Sequence, residues 1–544
     1  MKKKLLIIVG LVLLTLPTVL PFFNSKFFYT QDYIFIARLN EISAALSDGS
    51  FPVRWAPDLR YGEPTFNYYA ALPYYLGALI HLIGINFIWV AKILFILSSI
   101  LSAISMFIFT KKLFGKKGAF LATALYVYAP YRAVDLYVRG ALSEAWAFVF
   151  FPLIFYTALL LSEKLNLKRL AFLALSLSGL FLTHNVATIM FLPFFALFVL
   201  YLILKQRNWK LIFPVLSSLV LGLGLSAFFL LPAAFERDLI QTKYLIVGYF
   251  DFRAHFVAIP QFFSTFWGYG SSLWGPTDGL SFQIGLANLA TLTLAVILGL
   301  IHRKDKKMLL LCGFLGLSFT LSLFLQHNRS AFIWEAIPLM AFIQFPWRFL
   351  AVSIFIAAVV GGAVTVYLTG KLRFVYVVLF ILIVLSPILY FKPQKYVDDS
   401  FFEKFLDKEI MKKGVDLTKD YLPIWVQTTD APPLNYPEAE KGRIEVLRFE
   451  KKTNLASAQI NVLEGSVIEV PITYFPGWTV IANEKSLELE NPSERGVIKF
   501  KLSTGSYDLR FEFRDTSVRM AGNYISIMSA AFLAAFLTLK FKNA

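Results

Sequence analysis

Apolar runs of roughly 18 residues or more recur along this chain with charged breaks between them, and each is long enough to cross the roughly 30 Å hydrocarbon core of a bilayer as a helix. No other feature restricts the fold as much. The runs lie near 5–23, 88–110, 118–134, 142–161, 169–184, 186–204, 211–232, 282–301, 308–325, 348–369, 374–391 and 520–539. The expected fold class is therefore mainly α, a polytopic helical membrane protein of about twelve transmembrane helices. Composition agrees: 57% of the 544 residues are hydrophobic and 16% charged, against about 45–50% and 25% in soluble domains. A cytosolic globular enzyme, a disordered chain and a disulfide scaffold are excluded. The one cysteine, Cys312, lies inside an apolar run, so no intrachain disulfide is possible. Lys2 to Lys4 followed by Leu5 to Phe23 imitates a signal peptide, but Pro17, Pro21 and Phe22 stand where small residues are needed for cleavage. An uncleaved anchor is expected.

The formal charge of +17 is a statement about topology. Lys2 to Lys4, Lys111, Lys112, Lys116, Lys117, Lys164, Lys168, Arg169, Lys205, Arg207, Lys210, Arg303, Lys304, Lys306, Lys307, Lys371, Arg373, Lys540 and Lys542 all fall on one side of a twelve-span scheme. With Glu163 and Asp305 removed alongside them, 31 basic residues face 33 acidic ones elsewhere, out of 52 and 35 in all. This is the positive-inside bias. It implies a cytoplasmic membrane, both termini in the cytoplasm, and no nucleic acid partner. Tyr74 to Ile88, with Pro73 before it and Gly77, His81 and Gly84 within, reads as a short interfacial helix; the alternative is one more span.

Three segments on the opposite side, 24–87, 233–281 and 392–519, exceed simple turns. The last alternates in strand fashion from Arg443 onward, as in Val497-Ile-Lys-Phe-Lys-Leu502, with turn signals at Pro476-Gly477, Asn491-Pro492 and Gly505. A small extracytoplasmic antiparallel β-sandwich is expected there. The chain then divides into a transmembrane domain (1–391), an extracytoplasmic domain (392–519) and a C-terminal transmembrane helix (520–544).

Ionisable side chains beside a bilayer are costly and call for a reason. Here they gather at one set of helix ends, leaving the helix centres almost uncharged. In Gln31-Asp-Tyr-Ile-Phe-Ile-Ala-Arg38, Asp32 and Arg38 follow the first span. A carboxylate placed there suits proton abstraction from a hydroxyl or a divalent metal, or simply a helix N-cap. Arg139 with Glu144 suits a phosphate clamp and its orienting acid, or a structural ion pair. His184, in Thr183-His-Asn185, is a supporting candidate or a satisfied interfacial histidine. Arg348, after Phe345-Pro-Trp347, suits bidentate phosphate binding or interfacial anchoring. Trp267, Tyr269 and Trp274, among the rings and glycines of 233–281, suit a sugar face or loop packing. The five histidines (81, 184, 255, 302, 327) are scattered and form no metal-ligand spacing.

The first span, an early Asp in the loop after it, an interfacial helix, and a span ending in Lys-Lys-Leu-Phe-Gly115 together resemble the GT-C superfamily of membrane glycosyltransferases. Asp-Gly-Ser-Phe-Pro-Val-Arg-Trp55, Gly62-Glu-Pro-Thr-Phe-Asn-Tyr68, Arg139 with Glu144, Thr183-His-Asn185, Trp267-Gly-Tyr-Gly270 with Ser281-Phe-Gln283, and Gln344-Phe-Pro-Trp-Arg348 are similar to bacterial membrane proteins labelled "6-pyruvoyl-tetrahydropterin synthase-related". The tail from Tyr474-Phe-Pro-Gly-Trp478 looks like that of YfhO-type proteins. The resemblance implies a glycosyltransferase that moves a sugar from a polyprenyl-phosphate carrier to an extracytoplasmic acceptor (glycan, lipid or protein). It carries the GT-C early-loop acid onto Asp32, and the lipid-phosphate contacts fall to Arg38, Arg139 and Arg348. Tyr33 stands where a second acid is common, so dependence on a divalent metal (Mg or Mn) stays open, with Asp58 or Glu63 as second carboxylates. A transporter or flippase for lipid-linked saccharides, or a non-catalytic envelope-assembly protein, are the rival readings.

Overall fold

The computed structural model describes residues 2–302, 306–414 and 419–538. Arg303, Lys304, Asp305, Lys540 and Lys542 of the basic clusters lie outside them. Each expected apolar run is largely helical. Among the described residues six helices are long and apolar enough to cross a membrane, and two pairs bent by 79° and 93° raise the number to eight if each pair counts as one span. The other expected spans are present as shorter, less apolar or merged helices, so the count of twelve is not reached by this measure among the described residues. The merged case is Phe87–Val127. Gly115 within it has φ 73°, a left-handed conformation open to glycine, and the chain reverses there. Phe107 and Phe120 would stand about 20 Å apart on a straight helix, yet their ring centroids are 5.0 Å apart.

The basic turns meet at one end of the bundle. Lys112 pairs with Glu163 at 3.0 Å, Gln206 donates to Ser162 Oγ at 2.8 Å, and the His302 ring stacks on Tyr367 at 4.1 Å. At the other end stand the long connections. The helix Leu72–His81 has 10 residues, about 15 Å of rise, and is too short to span. The 79° bend separates Trp209–Leu225 from Ala227–Phe235. It falls at Ser226, two residues after Gly224, where the last helix, Ser517–Thr538, presses Ser529 against the glycine.

Among the described residues eight strands are formed. The first pair is short: β1 (Phe27–Phe28) lies antiparallel to β2 (Tyr396–Val397), tying the first connection to the third. The others are β3 (Glu438–Lys451), β4 (Leu455–Thr473), β5 (Trp478–Ala482), β6 (Lys485–Leu487), β7 (Val497–Leu502) and β8 (Gly505–Phe513). Where two packed sheets were expected, hydrogen bonding joins all six of these into one antiparallel sheet of order β3-β4-β8-β5-β6, with β7 also on β4. The long β4 makes this possible: Leu455 to Val462 pair with β8, and Ser466 to Thr473 pair with β7. Alternate residues of β4 are buried, which is the period-2 pattern of a strand with one face on a core.

The sheet is anchored to the helical part through the first connection. Trp55 is fully buried among Phe513, Trp478 and Phe475, with centroids at 5.1, 5.7 and 6.3 Å. Beside it Arg54 pairs with Asp515 at 2.8 Å, and the buried Arg519 pairs with Glu236 at 2.9 Å. Phe402, Phe405 and Met411, from the stretch before the sheet, are buried in the core of the helical part.

Candidate active site

At the end of the bundle opposite the basic turns lies a cavity of about 460 Å³. Its construction starts at Pro130, which opens a short helical turn. The chain then widens into a π-helical stretch, Val134–Arg139, and is stopped by Gly140 at φ 66°. Gly140 and Ala141 both return their N–H groups to the Asp135 carbonyl. Single π turns of this kind gather at functional sites. The turn carries Arg139 over the first residues of the helix Leu142–Glu163, where Glu144 meets it.

Arg139 Nη1 donates to Glu144 Oε2 at 2.7 Å, Asp135 Oδ1 at 2.7 Å and Tyr131 OH at 3.2 Å. Tyr131 in turn donates to Glu144 Oε1 at 2.7 Å. Arg348 approaches Glu144 Oε2, the oxygen that Arg139 holds, at 4.0 Å, and its buried Nε has no hydrogen-bond partner among the described residues. It is held in place by the Ile343 carbonyl at 2.9 Å and by Gln344 Oε1 at 3.2 Å, while Gln344 itself takes a left-handed φ of 66°. A third guanidinium, Arg132, is fully buried over the Phe148 ring at 4.2 Å, with Ser102 as its hydrogen-bond acceptor. Three guanidiniums thus face two carboxylates. Burial, reinforced by the charge of Glu144, holds the Asp135 carboxyl well above the usual range. Such a site is short of an anion.

Asp32 is fastened to this turn by its backbone. Its N–H donates to the Arg139 carbonyl at 2.8 Å, and that of Gln31 to Val138 at 2.9 Å. The Asp32 carboxylate is 41% exposed, accepts the Ile34 N–H at 3.2 Å, and stands 3.7 Å from Arg38. Arg38 lies 4.0 Å above the Tyr69 ring. His184 caps the helix Asn185–Gln206, its Nδ1 accepting from Ala187 N at 2.9 Å. In the neutral ring this puts the proton on Nε2. Asn185 donates to the Tyr68 carbonyl at 2.8 Å.

Asp32, Arg38, Arg139, Glu144, His184 and Arg348 therefore line one cavity. Five other candidates do not. Asp58 pairs with Lys408 at 2.9 Å, and the buried Glu63 pairs with Arg60 at 2.5 Å, so neither carboxylate joins Asp32. Trp267 stacks on Tyr390 at 4.7 Å, Tyr269 donates to the Lys392 carbonyl at 2.9 Å, and Trp274 is 74% exposed. Among the lining residues that had escaped sequence reasoning are Asp420 and Tyr421. Tyr421 meets Tyr69 edge-on at 6.2 Å, and its segment is pinned by Gln241 N to Leu422 O at 2.9 Å and Ile424 N to Leu239 O at 3.1 Å. The Asp-Tyr pair at 420–421 repeats that at 32–33. Among the described residues no three His, Cys, Asp or Glu side chains are grouped to hold a metal. Glu144 is taken by arginines, and Asp58 and Glu63 by their own cations.

The family profile described as "6-pyruvoyl-tetrahydropterin synthase related domain; membrane protein" matches residues 66–393. The chain belongs to this family. The matched stretch of this pterin-synthase-related membrane protein holds Arg139, Glu144, His184 and Arg348, whereas Asp32 and the sheet lie outside it. An uncharacterized protein of Lactococcus lactis subsp. cremoris (strain MG1363) is 29% identical over 235 residues, covering 40% of this chain and 38% of that relative's length. Among solved structures, the mycobacterial arabinofuranosyltransferase AftD is 14% identical with a TM-score of 0.44, over 72% of this chain and 27% of its own. ArnT of Cupriavidus metallidurans, bound to undecaprenyl phosphate, gives 13% and 0.40, over 76% and 70%. The Archaeoglobus fulgidus oligosaccharyltransferase, in complex with zinc and sulfate, gives 15% and 0.39, over 80% and 59%. No residue role follows from likeness at this level.

Proposed function

We propose that this family member is a glycosyltransferase of GT-C type, moving a sugar from a polyprenyl-phosphate carrier to an acceptor hydroxyl at the extracytoplasmic face. The observation that carries the reading is the anion-deficient cluster of Arg139 and Arg348 on Glu144, with the Asp32 backbone hydrogen-bonded to Arg139. The lipid phosphate sits against the two guanidiniums, which are worth more in a cavity screened from water than at an open surface. The acceptor oxygen attacks the anomeric carbon and the bond from that carbon to the phosphate oxygen breaks. Asp32 takes the hydroxyl proton, and the departing phosphate keeps the electron pair under Arg139 and Arg348. The positive-inside bias supports placing this end of the bundle outside the cytoplasm, in a cytoplasmic membrane with both termini within.

The test uses protein reconstituted in vesicles with a polyprenyl-phosphate sugar and a cell-envelope glycan fraction. Asp32→Asn, inserted normally, is expected to lose about 10²–10⁴-fold in turnover. Full activity of the variant refutes the assignment of the base, and movement of the lipid-linked sugar across the membrane without turnover favours a transporter.

A further inference from the structure

His184 lines the same cavity as the arginine cluster, yet the reaction written above gives it no part. It is the N-cap of the 22-residue helix Asn185–Gln206, and Nδ1 accepts the Ala187 N–H at 2.9 Å. A backbone N–H can only donate, so Nδ1 carries no proton, and a flipped ring would set a C–H against that N–H. The imidazole is therefore neutral, with its proton on Nε2. Its one lone pair is spent on the helix it caps. Such a ring cannot draw a proton from a hydroxyl, and toward the cavity it is a donor only. Nε2 makes no hydrogen bond among the described residues and, unlike the enclosed Nε of Arg348, it is open to a ligand.

The neighbours of the ring limit what it can donate to. The charges that bear on it are those of Glu144, Arg348 and Arg139. Both Glu144 oxygens are already taken, Oε1 by Tyr131 and Oε2 by Arg139. On either side of His184 in the chain, Thr183 donates to the Gly179 carbonyl at 2.6 Å and Asn185 to the Tyr68 carbonyl at 2.8 Å. The helix also brings the positive end of its aligned peptide dipoles to this point. Two guanidiniums, a helix N-terminus and an N–H donor thus meet around one carboxylate whose oxygens are occupied. The partner they lack is an anionic oxygen.

We propose that His184 Nε2–H is the third donor to the carrier phosphate, beside Arg139 and Arg348, and that its proton stays on the ring throughout. The proposal rests on the reading of the arginine cluster as a lipid-phosphate site. Its test is native mass spectrometry of the full-length protein in detergent, titrated separately with undecaprenyl phosphate and undecaprenol, with unfolding temperature measured in parallel. The unsubstituted chain is expected to hold the phosphate at least tenfold more tightly than the alcohol. His184→Asn keeps a good N-cap but is too short to place a donor where Nε2 stands; it should keep the unfolding temperature and bind undecaprenyl phosphate about tenfold more weakly, with undecaprenol unchanged. His184→Gln keeps an amide N–H at the reach of Nε2 and is a poor cap, so it should unfold at a lower temperature yet bind the phosphate more tightly than the Asn variant. No preference for the phosphate in the unsubstituted chain overturns the phosphate reading, and this proposal with it. A preference that survives intact in His184→Asn overturns the proposal alone. So does weakening that follows the unfolding temperature across the two variants, since His184 is then a cap and nothing more.

Discussion

Gly140→Ala tests whether the backbone tie between Asp32 and Arg139 sets the reaction geometry. The substitution adds one methyl group at φ 66°, where an L side chain costs about 1–2 kcal/mol. The new carbon would stand 2.5 Å from Thr30 Oγ1 and 2.7 Å from the Asp32 carbonyl oxygen, where ordinary contact begins at 3.4 Å. Thr30 cannot swing away freely, because its hydroxyl donates to that same Asp32 carbonyl at 2.7 Å. The segment carrying Asp32 must therefore retreat by about 0.7 Å, the gap between the 2.7 Å approach and 3.4 Å, and the 2.8 Å bond from Asp32 N to Arg139 O is stretched. A misplacement of about 1 Å costs a reaction on the order of 10²-fold, so kcat is expected to fall about 10–100-fold. The donor KM is expected to stay within about twofold, since Arg139 and Arg348 are held by Glu144, Gln344 and the Ile343 carbonyl, none of which moves. The assay is labelled sugar transfer in vesicles, with unfolding temperature measured in parallel. Gly140→Asn separates the two causes: Asn tolerates the left-handed conformation but carries the same offending carbon, and is expected to be as slow as Ala. A folded Gly140→Ala protein with unchanged kcat refutes the reasoning, and so does a raised donor KM at constant kcat.

Three further outcomes are expected. Arg519→Met leaves Glu236 buried without its cation, a loss of about 3–5 kcal/mol; it should lower the unfolding temperature and expose the sheet to protease, with most of the loss recovered in the Arg519→Met/Glu236→Leu double variant. Glu41, pushed up to about 8 by burial and by the charge of Asp58, holds a proton in the folded protein that the unfolded chain releases at an ordinary 4.5. Its contribution is complete below about pH 4.5 and lost as pH rises to about 8, so the unfolding temperature should decline across that window, and less in Glu41→Gln. Lys451, pushed down to about 8 by burial, acts with the opposite slope between about 8 and its ordinary 10.5, outside the Glu41 window. Trp274→Ala should leave transfer within about twofold of the unsubstituted protein, because the ring is 74% exposed and does not line the cavity; a loss of tenfold or more returns the aromatic loop to the site.

The helices were legible because a backbone inside lipid must satisfy its own hydrogen bonds, which makes a long apolar run nearly synonymous with a helix. The convergence of Asp32, Arg139, Glu144, His184 and Arg348 was legible for a related reason: charge is confined to helix ends, and helices packed side by side bring those ends together. What sequence could not show is how irregular chain closes around them. Arg60 takes a left-handed φ of 54° and turns its guanidinium onto Glu63, which removes from the site a carboxylate that its position in the chain had recommended. Trp267 and Tyr269 pack on residues 390–392, more than a hundred positions away. Asp420 and Tyr421 arrive from a stretch with neither helical nor strand periodicity, and only its backbone pairing with residues 239–241 places them. The sheet was foreseen from its alternation, but not its single hydrogen-bonded network, because a 19-residue β4 that serves three partners has the same period as two shorter strands.

A structure determined with undecaprenyl phosphate bound decides the matter most directly. The phosphate is expected within hydrogen-bond distance of the Arg139 and Arg348 guanidiniums, on the Asp32 side of Glu144, with its isoprenoid tail leading away into the bilayer. A phosphate held by the lysine-rich turns at the opposite end of the bundle, with the arginine cluster untouched, contradicts the account.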